Sequence, residues 1–453
     1  MIDSSKVRIK RLLIGCYIIA LTVRLIFISI FPGTNYFGGV SERCLDVAKN
    51  VVEGRGFVFF VNIAPFGSPD NYSYEPFIDK PIGYPAFLAT IYFVFGIHPI
   101  AAQIIQAILV SFGCIFVYRL LRLLKISEFL SLIGALLTAI WPNHARFEVT
   151  ILPEAIMPLI LIVTTYFITK AFVLSNKNDS TSNRSIVLSS LLAGLVLGLG
   201  VLSRPDVMFL PIFLVIICGL IFTWKRSLKI IGFMSMIFYV IISLHTVRNY
   251  ALTGEIIPLG YSNGTVVWQG ISQFGDTLGT VYSDYRIAHH EGYPSLLYPH
   301  GIERDRKRLR EGIEIIKEHP VFFLSLIPRR IPLLLVPRGL LVQDDPLPST
   351  NDSLDFPQHF QKGLIQEIST SPVRASIKIF SALSGVLLLL VAAYGWWKSR
   401  RRFPEINIAA SIVAYFVIVL LPINSEARYF FPAVILLFPL AILSLKKARN
   451  TDL

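Results

Sequence analysis

Carboxylates and cations gather at four places where an apolar run of this chain begins or ends, and in one loop helix between two such runs. Asp79 and Lys80 stand side by side in "FIDKPIGYPAF" (77–87), and Glu42 and Asp46 lie in "SERCLDVAKNVVEGRGF" (41–57). Glu154 closes "WPNHARFEVTILPEA" (141–155), which also carries His144, Arg146 and Glu148. Arg248, Asn249 and Tyr250 end a long apolar run inside "SLHTVRNYALTGE" (243–255), and Glu426, Arg428 and Tyr429 open another in "NSEARYFFP" (424–432). A lysine or arginine at the depth of lipid headgroups can hold an anionic oxygen, and the forked guanidinium does so with direction. A carboxylate beside it can take the proton of an attacking hydroxyl or amine. An amide and a phenol add directed hydrogen bonds. The plain alternative for any one basic residue here is a side chain that snorkels to headgroups at a helix end.

The elements that must position these groups follow from composition. The 453 residues are 54% hydrophobic and only 16% charged, against about a quarter charged in soluble domains. Apolar runs of bilayer length place the chain among polytopic membrane proteins. The net charge of +13 does not point to nucleic acid, because the basic residues form short clusters between apolar runs. These are "KVRIKR" (6–11), "RLLRLLK" (119–125), "WKRSLK" (224–229), "KSRRR" (398–402) and "KKAR" (446–449), the pattern of positive-inside signals. Placing them in the cytoplasm threads the chain.

Crossings are expected near 11–32, 100–118, 127–141, 155–172, 186–202, 206–223, 229–247, 376–397, 406–422 and 428–445. That is an all-α protein of about ten transmembrane helices with both termini inside. The start reads as a first span rather than a cleavable signal, since its apolar stretch is too long and no small-residue cleavage site follows. The apolar segment 83–96 is too short to cross and is expected as a juxtamembrane or re-entrant helix on the outer side. Segment 250–375 is expected to be wholly external, with 319–335 lying at the interface and "SNKNDSTSNRS" (175–185) inside. Loop 1 should hold an amphipathic helix over 41–57, with Val47, Val51 and Val52 on one side and Gly54 and Gly56 closing it. Every acid–base cluster named above then falls on the outside, where positive-inside signals are not expected.

Four cysteines form no disulfide framework, and no His, Cys and Asp cluster has metal-ligand spacing. No metal or cofactor is expected. His144 reads as a solvated turn residue, Trp268 as packed on its own loop, and Asp46 and Lys49 as an i,i+3 pair. Glu154 beside Pro153 suits a first-turn acid favoured by the helix dipole as well as it suits a substrate contact.

Five stretches in order give the chain a resemblance to the polyprenyl-phosphate-dependent glycosyltransferases of the multi-spanning C-type fold, relatives of the aminoarabinose transferases and protein O-mannosyltransferases. They are "CLDVAKNVVEGRGF", "DKPIGYPAFLATIYFVFG", "LAGLVLGLGVLSRPDVMFLP", "VRNYALTGEIIPLGYSNGTVVWQG" and "ARYFFPAVILL", spanning 44–437. The resemblance implies a single membrane-embedded domain in the cell's inner (plasma) membrane. It would move a sugar from a polyprenyl-phosphate donor to a lipid, glycan or protein acceptor on the external side, with inversion. Lys80 matches the lysine that grips the lipid phosphate, with Asp79 at the acidic position beside it. Arg248, Asn249 and Tyr250 match the corner after the apolar run, and Arg428 and Tyr429 match the pair opening the last helix. The family's first-loop acid, an Asp four residues before a Tyr, falls here on Val40, and the Tyr falls on Cys44. Glu42, two residues displaced, is expected to take its role as catalytic base through a shifted loop, with Asp46, further into the helix, as the second candidate.

Two other classes compete. A lipid or glycan transporter or flippase would show internal repeats and charges at the midplane; no repeat is visible, and the helix interiors are almost free of ionisable residues. A catalytically altered scaffold of the same fold would account for the changed first-loop acid.

Overall fold

A helix that meets lipid on one side and protein on the other is apolar all round, and its backbone groups are satisfied within the segment. In this computed structural model, which describes residues 4–32, 39–176, 180–335, 372–423 and 426–446, such helices dominate. Six are long and apolar enough to cross a membrane: Val7–Ile30, Pro99–Leu123, Pro153–Leu174, Asn183–Val201, Trp224–Thr253 and Ala375–Ser399. A seventh crossing is formed if Ala427–Val434 and Leu437–Leu445 count as one broken span, bent by 57°. Pro439 sits at the start of the second half, where its ring clashes with a continued helix. The remaining three expected crossings coincide with shorter apolar helices, Glu128–Ile140, Pro205–Ile221 and Ile406–Leu420. The chain is thus an all-α polytopic membrane protein, with six or seven spans by length and composition among the described residues and ten as the proposed thread.

The first helix shows how lipid and protein faces are divided. Cys16, Ala20, Arg24 and Ile28 are buried at intervals of four residues, while Ile14, Ile18 and Ile26 are exposed. Arg24 lies on that buried stripe inside an apolar helix, and its guanidinium pairs with Glu148, Nε to Oε2 at 2.9 Å. Glu148 also faces His144 Nε2 at 3.2 Å. His144, expected as a solvated turn residue, is fully buried, because the turn 141–155 folds as short helices packed under the first span rather than standing in water. Between Ser180–Val201 and Trp224–Thr253 the backbones approach closely. A side chain at Gly194 would collide with the carbonyl of Met234, as small residues at membrane helix contacts permit.

The layer beyond the apolar helices begins with the loop-1 helix Gly39–Val52, followed by an antiparallel hairpin, Val58–Asn62 with Tyr72–Pro76. Val47 is buried, and Val51 and Val52 pack against the inner cluster around Tyr84 and Leu88. The short apolar helix Gly83–Phe95 comes next. Beyond residue 250 stand the helices Asn263–Ile271, Asp284–His290, Gly301–Glu318 and Pro320–Leu335. The stretch 336–371 of the expected external segment, and 177–179 of the expected inner loop, lie outside the described residues. Asp305 accepts from the backbone N–H of Gly264 at 3.0 Å and Thr265 at 2.8 Å, satisfying the first turn of Asn263–Ile271. Trp268 of that helix is buried and meets His290 edge-on, which fixes it as packing. In Pro320–Leu335, Arg330 is fully buried and donates to Gln273 Oε1 at 3.0 Å and to the carbonyls of Gly270 and Pro422. This helix is fastened to protein through its arginine.

Candidate active site

The segment 77–82 carries Asp79 and Lys80, and its backbone is held from two sides. Arg248 Nη1 donates to the carbonyl of Phe77 at 3.0 Å, and Ser262 Oγ donates to the carbonyl of Asp79 at 3.0 Å. Gly260 passes so close to that carbonyl that a Cβ there would collide with it. The Arg-Asn-Tyr corner therefore acts on the loop. Asn249, fully buried, donates to the carbonyl of Ile257 at 2.9 Å and receives Arg248 Nη1 on its own oxygen at 2.8 Å. Tyr250 is exposed on the outer side of the same helix end.

Five further segments bring charge to this loop. From the loop-1 helix, Arg43 Nη1 reaches Asp79 Oδ2 at 3.0 Å, and its Nη2 lies 3.7 Å from Asp284 Oδ2. From the turn 141–155, Glu154 Oε1 meets Arg204 Nη1 at 2.7 Å, and Arg204 also pairs with Asp206. The Arg204 guanidinium stands over the ring of Tyr429, 5.1 Å from its centre. From the start of Ala427–Val434, Arg428 Nη2 contacts the Tyr429 hydroxyl at 2.8 Å. Its Nε lies 2.6 Å from Glu426 Oε2, and Tyr282 donates to the other Glu426 oxygen at 3.1 Å. Glu154 is within electrostatic reach of both Arg428 and Lys80. Asp79, Lys80, Glu154, Arg428 and Tyr429, named from sequence, thus converge. Arg43, Arg204, Asp284 and Tyr282 join them without having been anticipated, although Arg204 stood in the stretch "LAGLVLGLGVLSRPDVMFLP" and Arg43 between two candidate acids.

Electrostatics single out Lys80. Burial, reinforced by the Arg43 guanidinium, holds its ammonium below the ordinary lysine value. Among the described residues it makes no hydrogen bond or ion pair of its own. Asp79 Oδ1 and Glu154 Oε2 are buried and lack a hydrogen-bond partner among them, leaving acceptors near the ammonium. Arg43 is pulled down by burial, but Asp79 and Asp284 outweigh this and raise it. The Cys44 thiol is pushed up to about 12 by burial and stays protonated.

Glu42 and Asp46 lie on the exposed stripe of the loop-1 helix that also carries Lys49. Burial and the neighbouring Glu42 charge raise Asp46, while Lys49 opposes this. That stripe is turned away from the buried face formed by Cys44, Val47 and Ala48.

Comparison with known proteins gives one family match. Residues 79–247 match the family model described as dolichyl-phosphate-mannose-protein mannosyltransferase. No curated protein matches the chain in sequence. Among solved structures, the apo oligosaccharyltransferase of Archaeoglobus fulgidus is 13% identical with a TM-score of 0.49, covering 96% of this chain and 50% of its own. The chain therefore spans about half the length of that relative. ArnT of Cupriavidus metallidurans, bound to undecaprenyl phosphate, is 12% identical with a TM-score of 0.37, covering 95% of this chain and 76% of its own. The resemblance read from five motifs is thus matched by a mannosyltransferase family model over residues 79–247, the stretch that supplies Asp79, Lys80, Glu154 and Arg204.

Proposed function

We propose that the chain is a membrane glycosyltransferase that moves a sugar from a polyprenyl-phosphate donor to an acceptor on the external face of the cell membrane. The observation that carries this reading is Lys80, an ammonium without a partner of its own among the described residues, set where carboxylates and arginines from five segments meet. An ammonium in that position is a point charge suited to a phosphate. Arg428 and Arg204 add positive charge around Glu154, which Lys80 also reaches electrostatically. The acceptor oxygen or nitrogen attacks the anomeric carbon from the side opposite the phosphate, giving inversion. The bond from that carbon to the phosphate oxygen breaks, and polyprenyl phosphate leaves with the electron pair. Lys80 stabilises the charge that develops on the leaving phosphate, which is where preorganised electrostatics contributes most. Arg248 and Asn249 act one step away, by holding the backbone that presents Asp79 and Lys80.

Purified chain in nanodiscs, supplied with a panel of radiolabelled undecaprenyl-phosphate hexoses and pentoses and extracted envelope material as acceptor, tests the reading. Release of undecaprenyl phosphate with label on an acceptor supports it. Liposome flipping of the same lipids without transfer would replace it with transport.

A further inference from the structure

The first-loop acid of the resembling family is absent at its position, and the two nearby acids lie on the exposed stripe with Lys49. We infer that the proton of the attacking group is taken instead by Asp284, at the start of the external helix Asp284–His290. The inference rests on the glycosyltransferase reading above.

Three carboxylates lie within electrostatic reach of Lys80: Asp79, Glu154 and Asp284. Two of them are shut in. Asp79 is 4% exposed and bound to Arg43, and Glu154 is 5% exposed and bound to Arg204. A base must come within hydrogen-bond reach of the acceptor, which a carboxylate closed in on all sides does not offer. Only Asp284 of the three is open to solvent, with its side chain 55% exposed.

Openness alone would describe any surface acid, but Asp284 is also held. Gln269 Nε2 donates to its Oδ1 at 2.7 Å, and Arg43 Nη2 stands 3.7 Å from its Oδ2. The same Arg43 holds Asp79, the residue before Lys80. One guanidinium therefore fixes the spacing between the open carboxylate and the loop that presents the ammonium. Ser283 caps the helix by accepting from Arg286 N at 3.1 Å. At its other end Glu291 is gripped by Arg304 at 3.0 Å and by Arg308, which also binds Asp305 at 3.2 Å. Asp284 thus stands on a braced element, as a general base requires.

In the proposed step Asp284 accepts the acceptor's proton as its oxygen or nitrogen bonds to the anomeric carbon. The bond from that carbon to phosphate oxygen breaks, and the carboxylic acid formed returns its proton to water.

The test uses the full chain in nanodiscs with the undecaprenyl-phosphate sugar panel. Asp284→Asn should lower kcat by about 100-fold or more, as loss of a general base does, with the donor KM and binding of undecaprenyl phosphate unchanged. Asp284→Glu should recover part of kcat. Wild-type kcat in Asp284→Asn overturns the inference alone, as does a loss carried by KM, which would mean that Asp284 only steadies Arg43. A collapse of kcat in Glu42→Gln with Asp284→Asn active would return the role to the first loop. Should Asp284→Asn fail to fold, Gln269→Leu replaces it: a fall in kcat with KM unchanged supports the inference, and wild-type kcat overturns it. Absence of transfer by the wild type with every donor overturns the glycosyltransferase reading and this inference together.

Discussion

Arg248 reaches from the C-terminal end of a 30-residue helix to the carbonyl of Phe77, 3.0 Å away, two residues before the Asp79-Lys80 pair. That contact turns a helix terminus into a support for the loop. Arg248→Lys keeps a charge but loses the fork. The expected outcome is a kcat/KM lowered by roughly tenfold, the equivalent of one charge-assisted hydrogen bond of about 1.5 kcal/mol, with membrane insertion unchanged. Donor-concentration curves on purified protein measure it, and curves superimposable on wild type would leave Arg248 as an anchor among headgroups.

Lys80→Ala should remove most transfer while the protein still inserts and folds. The alkaline limb of donor binding gives a finer check. The ammonium titrates below the ordinary lysine value of 10.5, because burial and Arg43 disfavour its charge. It is charged below its own pKa and loses its grip on phosphate as pH rises through it. Donor affinity should therefore decline at lower pH than an ordinary lysine would give. Lys80→Arg should retain part of the activity and shift that decline upward, since guanidinium stays charged. An unchanged alkaline limb in Lys80→Arg would assign the titration to another group.

Removing Arg204 leaves Glu154 and Asp206 facing each other in a buried setting. Breaking a buried pair from one side costs about 3–5 kcal/mol. Arg204→Ala should melt well below wild type in detergent, and adding Glu154→Gln should restore part of the loss. A melting temperature equal to wild type would show that water reaches this pair.

The proposed thread has a direct check in intact cells. Cysteines introduced near Asn62 and Ser262 should label from outside, and those near Asp179 and Ser399 only after permeabilisation. Labelling at Asp179 without permeabilisation would invert the topology and move the charged cluster to the cytoplasm.

Much of this was legible because membrane helices announce themselves by length and polarity. Asp79, Lys80, Glu154, Arg428 and Tyr429 were visible because each breaks an apolar run at its edge. Arg43, Arg204 and Asp284 were not, because their importance lies in which segments pack together, and no local spacing relates residue 43 to residue 284. The Arg-Asn-Tyr corner was found, but sequence could not tell a contact to substrate from a contact to the Phe77 carbonyl. Arg24 had the clearest missed signal: a lone arginine on a four-residue stripe with Cys16, Ala20 and Ile28 needs a buried partner.

The Arg24–Glu148 pair has a consequence for how the protein is made. Its two members are 124 residues apart, so the ribosome delivers the first span long before its counter-ion exists. Until then a bare arginine in that span costs up to about 3 kcal/mol to insert. The first crossing is therefore provisional, and it is sealed only when the turn 141–155 docks against it. Nascent chains arrested before residue 148 should leave this span extractable by alkaline carbonate, whereas chains arrested well beyond it should not. Equal resistance at both lengths would mean that lipid and water around Arg24 suffice.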